Sequence, residues 1–253
     1  MASSPLADRQ GHGADGDLHG RRTYHPAHQF DTMEQQKESS TLGMWLFLVT
    51  EIMFFGGLFT TYVVYRNMYP DAFAAASSTL SVKWGTLNTG VLIGSSLTMV
   101  LAIWAAQVNR PKWIVRWLLI TMALGSVFLG VKAVEYHDKF VENHVPGNIL
   151  NAPFNFVLED AKETKELAAK DPLYQQHTSI FFALYFIMTG LHATHMIIGI
   201  AVLAVLVFFS KRGKFDSEYF NPLEMTGLYW HFVDIIWIFL FPLLYLLGAH
   251  THG

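Results

Sequence analysis

The stretch LFLVTEIMFFGGLFTTY, residues 46–62, decides how the chain is read. All but one of its residues are apolar, small or hydroxylated; the exception is Glu51, near the middle. Crossing a bilayer as a helix takes about 20 mostly apolar residues. Working outward, five segments reach that length: 42–66, 84–108, 113–137, 178–209 and 224–248. The expected fold is all-α, an integral membrane bundle of five transmembrane helices behind a polar N-terminal tail.

Composition agrees. Hydrophobic residues make up 52% of the 253 and charged residues 15%, where soluble domains carry about 25% charged residues. A net charge of −3 with no basic tract excludes a nucleic-acid partner. Without cysteine the chain has no disulfide, thiolate metal site or covalent c-type haem. Residues 1–41 read as a flexible cytoplasmic tail, and no apolar run marks a cleaved signal peptide. His12, His19, His25 and His28 offer an opportunistic metal site there, against the plainer reading of a solvated tail.

Lys and Arg collect in short cytoplasmic loops. Arg9, Arg21, Arg22 and Lys37, then Arg110, Lys112 and Arg116, then Lys211, Arg212 and Lys214 fall on one side. The N-terminus is therefore expected inside and the C-terminus outside, in a bacterial plasma membrane. The outer loop 138–177 contains LEDAKETKELAAKD, which predicts a short surface helix between Pro153 and Pro172. No internal repeat is visible, which disfavours an inverted-repeat transporter.

Two small-residue stripes predict helix contacts: Gly43, Thr50, Gly57 and Thr61 on the first segment, and Gly90, Gly94 and Thr98 on the second. Intramembrane ionisable groups ordinarily face protein or water. Besides Glu51 they form three i,i+3 pairs: Lys132 with Glu135, His192 with His195, and His231 with Asp234. The first reads as an interfacial ion pair or a functional group. The last reads as a hydrogen bond that fixes a histidine tautomer. Neighbouring histidines on one helix face cannot sandwich a haem, so a haem would have to pair one of them with His231. No phosphate loop or nucleophile–base pair is present.

In order, TEIMFFGGLFTTY, LNTGVLIGSSLT, GVKAVEY, TGLHATHMIIG and LYWHFVDIIWIFLFPLLY closely resemble subunit III of haem–copper oxidases, of the cytochrome c oxidase type, over about 42–248. The chain resembles the five-helix form, without the two N-terminal helices that form a lipid cleft in longer members. The resemblance implies a subunit with no redox centre, catalytic residue or metal of its own. Haem and copper sit in subunits I and II; subunit III packs on subunit I, sustains its turnover and supports proton uptake during oxygen reduction and proton pumping. Bound phospholipid and a larger respiratory supercomplex are further expected partners. Glu51 matches the family's carbodiimide-reactive glutamate, which implies a protonated acid bonded across helices, to a histidine of the fourth segment. Glu135, His192, His195, His231 and Asp234 are the other candidate buried polar residues. Lys211, Arg212 and Lys214 suit anionic head groups, with plain topology as the simpler account. The expected donor is cytochrome c. The alternatives are the same subunit type in a quinol oxidase or nitric oxide reductase, a free-standing proton or solute transporter, and a di-haem cytochrome.

Overall fold

The computed structural model describes residues 32–142, 144–146, 154–158, 161–215 and 219–246. Helices run in the order α1 (Met33–Met68), α2 (Pro70–Ser78), α3 (Val82–Gln107), α4 (Pro111–Val141), α5 (Ala161–Lys170), α6 (Tyr174–Lys211) and α7 (Asn221–Phe241). A π-helical turn, Pro242–Leu246, extends α7. Among the described residues five helices are long and apolar enough to cross a membrane: α1, α3, α4, α6 and the extended α7. They coincide with the five expected segments, and α5 is the expected helix of the outer loop.

The first helix starts nine residues before the expected boundary. Thr32 caps it, its hydroxyl accepting from the Gln35 amide at 3.1 Å. Residues 33–41 hold Glu, Gln and Lys, good helix formers that a hydropathy boundary excludes. This part of the expected tail is helical; the tail histidines lie outside the described residues. Helix α2 was not foreseen. It opens with Pro70 in its first turn and buries Phe73 edge-on against Tyr62 and Phe181. Between α3 and α4 the chain reverses over three residues, with Asn109 at φ 53°, a left-handed conformation that asparagine tolerates.

Helices α3, α4, α6 and α7 surround Trp230, which is fully buried and donates from Nε1 to Ser95 Oγ at 3.1 Å. Glycine is required at two points around it. A Cβ on Gly125 would lie 2.9 Å from Trp230 Cη2, and one on Gly199 would lie 3.0 Å from Cζ3. The expected small-residue stripes are not these contacts. Gly43, Gly57 and Gly90 have nothing within 4 Å of a Cβ, and Gly94 only Leu124 at 3.9 Å. Thr50 and Thr61 are exposed and bond their own helix, to the carbonyls of Phe47 and Gly57. The α1 stripe lies on that helix's exposed side; on α3 the reason lies in helix geometry, since each step of four residues drifts about 40° around the axis. Hence Thr98 reaches Thr121 Oγ1 on α4 at 2.7 Å while Gly90 points away.

Helix α1 lies at the margin of the bundle. Only 11% of its apolar window is buried, against 28–56% for the other four spans. Leu48, Phe55 and Tyr62, seven apart, form its buried edge. At its N-terminal end Lys37 Nζ reaches Glu224 of α7 at 3.8 Å, a solvent-accessible pair that adds little.

Candidate functional site

The intramembrane polar residues form three separate groups. The first lies toward the C-terminal end of α4. Lys132 and Glu135, 3% and 9% exposed, form an ion pair at 2.9 Å. Around them, Lys132 Nζ donates to Tyr185 Oη (3.1 Å) and Tyr245 Oη (2.8 Å). Tyr185 donates to Glu135 Oε1 at 3.0 Å, and Tyr245 donates to the same oxygen. The ring of Trp237 lies 5.2 Å from Nζ. This is a buried cage rather than the simple interfacial ion pair of one sequence reading. Each charge is matched inside protein, the condition under which a buried pair is tolerated. The π turn after α7 carries Tyr245 into this cage.

The second group joins α1 to α6. Glu51 Oε2 lies 3.2 Å from His195 Nε2, with both side chains largely buried. The other ring nitrogen, Nδ1, is 2.8 Å from the Leu191 carbonyl. A carbonyl only accepts, so Nδ1 donates. Nε2 then either accepts from a protonated Glu51 or, itself protonated, donates to a carboxylate. A carboxylate against a bare Nε2 would set acceptor against acceptor. Phe55 meets the His195 ring edge-on at 5.5 Å, and Tyr229 donates to the His195 carbonyl at 2.9 Å. The glutamate thus reaches a histidine of the fourth span, and that histidine is His195.

His192 does not share this site. It is buried between Phe128 and Trp237, with ring centroids at 5.4 and 5.3 Å, and neither of its nitrogens has a hydrogen-bond partner among the described residues. The two histidines are three apart but serve different neighbours, because the 300° between them leaves a 60° divergence.

The third group lies between α3 and α7. The expected His231–Asp234 hydrogen bond is absent; His231 Nδ1 instead meets Ser96 Oγ at 2.6 Å. Asp234 is 4% exposed, and its carboxylate oxygens have no hydrogen-bond partner. Sequence reading passed over Ser96, Tyr185 and Tyr245, because nothing local marks a hydroxyl as the partner of a distant histidine or lysine. Lys211, Arg212 and Lys214 are exposed at the α6–α7 turn, Arg212 lying over Phe208 at 4.1 Å and Lys214 over Phe209 at 4.4 Å. Among the described residues no group of three or more His, Asp or Glu stands where it could hold a metal ion.

The sequence is similar to those of known proteins. A family model described as cytochrome c oxidase subunit III matches residues 16–149 and 165–249. The cytochrome c oxidase subunit 3 of Thermostichus vulcanus is 29% identical over 86% of this chain and 92% of its own. That of Alkalihalophilus pseudofirmus is 29% identical over 82% and 86%. The quinol oxidase subunit 3 of Bacillus subtilis is 30% identical over 85% and 92%. By the extent of the family match, the chain belongs to the cytochrome c oxidase subunit III family.

Proposed function

We propose that this chain is the non-redox accessory subunit of a proton-pumping, oxygen-reducing haem–copper oxidase in a bacterial plasma membrane. It packs on catalytic subunit I, with subunit II and lipids as further partners, and sustains proton uptake through turnover. The observation that carries this reading is α1: a span left mostly bare by its own bundle, yet fixed to it by the Glu51–His195 contact. Such a helix is positioned from one side and offers the other to subunit I. The cationic ends at Lys37, Arg110 to Arg116 and Lys211 to Lys214 support a cytoplasmic N-terminus.

The donor has two readings. Relatives named for a quinol donor match at 30% identity, relatives named for cytochrome c at 29%. Staphylococcal relatives carry the quinol name as well. These likenesses move the weight from the cytochrome c donor expected from the sequence to a quinol donor.

Purification through a tag on this chain, in mild detergent, tests both levels. The expected preparation shows a haem difference spectrum and consumes oxygen with quinol. Oxygen consumption with reduced cytochrome c alone would restore the first donor. Nitric oxide reduction without oxygen reduction would reassign the complex. A colourless chain that conducts protons alone would replace the accessory role with transport.

A further inference from the structure

The groove between α3 and α7 opens toward the lipid side of the bundle. Its volume is about 400 Å³, inside the roughly 300–1,000 Å³ range of small-molecule sites. Half-exposed Ile93, Leu97, Ile235 and Ile238 form its mouth. Its polar lining is Thr89, Ser96, His231 and Asp234. Most of this lining is already engaged. Thr89 Oγ1 accepts from Trp237 Nε1 at 3.1 Å and donates to the Gly85 carbonyl at 2.9 Å. Ser96 Oγ and His231 Nδ1 share a hydrogen bond. Asp234 is buried with no well-formed hydrogen bond on either oxygen; its near neighbour Ser96 is engaged by His231. A buried carboxyl in a span that meets hydrocarbon has no water to turn to, so a bound donor relieves a real penalty.

We infer that this groove binds a membrane-soluble molecule with a hydroxyl head on an apolar body, a lipid alcohol or a phenol such as a hydroquinone, whose hydroxyl donates to Asp234. Each element of that description follows from the lining. Entry from hydrocarbon past four aliphatic side chains requires an apolar body. The unmet acceptors of Asp234 require a donor. A hydroxyl also accepts, so it serves His231 Nε2 on the same turn of α7 when that nitrogen carries hydrogen. The only acidic or basic groups in the groove are a carboxyl and an imidazole, with no lysine or arginine, so anionic heads are disfavoured. A bare acyl chain would leave Asp234 unmatched.

The test uses the purified complex in phosphatidylcholine nanodiscs with a diazirine-bearing 4-dodecylphenol, and the methyl ether of the same probe as the arm without a donor. Label is expected on peptides covering 89–100 and 231–238, displaced by unlabelled dodecylphenol. It should fall about tenfold with the ether and with Asp234→Leu. If Asp234→Leu fails to assemble, Ile93→Trp fills the mouth from the lipid side and should abolish the label with Asp234 intact. Competition by dodecanol and by a decylhydroquinone separates the alcohol and phenol sources. Equal labelling by phenol and ether would overturn the proposal, as would label indifferent to Ile93→Trp. So would a groove without label, including one in which Leu97→Cys cross-links to a helix of another subunit.

Discussion

The Lys132–Glu135 cage and the Glu51–His195 contact are both ionisable pairs inside a membrane protein, yet they are built in opposite ways. The first joins three elements, is closed by two tyrosines and an indole, and is buried throughout. The second joins two helices, rests on one backbone carbonyl, and keeps partial exposure. In the cage both charges and both tyrosine hydroxyls are paired with one another, which is what a structural clamp needs. The contact on α1 is a single approach of one oxygen to one nitrogen, which is what a movable or dockable seam needs. A full polar complement marks the rigid part of this molecule, and a minimal one marks the edge offered to a partner.

The largest effect is expected where the cage is opened. Glu135→Leu leaves Lys132 buried without its anion and should cost about 3–5 kcal/mol, read as a loss of assembled complex in a thermal melt. Lys132→Met combined with Glu135→Leu should recover most of it, because two apolar groups leave no buried charge. If the double variant is no better than the single, the cage is not a matched pair.

Next comes the packing around Trp230. Gly199→Leu forces a side chain into the indole and should cost about 1–3 kcal/mol, while Gly57→Leu, with nothing within 4 Å, should stay within about 0.5 kcal/mol for the chain alone. The same Gly57→Leu should weaken association with subunit I if α1 is the docking helix. Equal melting temperatures for the two variants would remove Trp230 as the keystone.

A smaller change is expected at the seam. Glu51→Leu leaves His195 Nε2 unpaired and should cost about 1–2 kcal/mol, seen as faster inactivation of the oxidase during turnover. Glu51→Gln retains a donor for Nε2 and should inactivate close to the wild-type rate. Equal rates for all three proteins would sink the structural role of Glu51.

The smallest effect lies outside the spans. Burial pushes the His144 imidazole below its ordinary range; Lys139 adds to this, while Glu142, with Oε2 3.1 Å from Nδ1, opposes it. The folded state therefore binds the proton less readily than the unfolded one. The His144 contribution is complete above the ordinary histidine pKa and declines as pH falls below it. Melts at pH 7.5 and 5 should show a pH-dependent loss that His144→Phe reduces.

Hydropathy alone located the five spans because hydrocarbon imposes length and composition directly on the sequence. Charge pattern located α5. The helical start at Met33 and the whole of α2 were missed, since amphipathic residues at a membrane edge satisfy no hydropathy threshold. The candidate site was legible in part. Glu51 was singled out with a histidine of the fourth span as its expected partner, and the nearest such ring is that of His195, at 3.2 Å. The neighbours that give each group its character were not legible. Tyr185 lies 50 residues and Tyr245 110 residues from Glu135, and Ser96 lies 135 residues from His231. Local spacing suggested His231–Asp234 and His192–His195, but on a helix a residue's nearest polar partner often sits on the next element.

The most direct test of the account concerns the bare face of α1. The chain contains no cysteine, so Met53→Cys, at a position 74% exposed on α1, carries the only thiol in this subunit. Ile197→Cys on α6, 58% exposed, is the control. A short photoactivatable thiol reagent should link Met53→Cys to the haem-bearing subunit and Ile197→Cys to lipid alone. Met53→Cys linked only to lipid in an intact, oxygen-reducing complex would contradict the account.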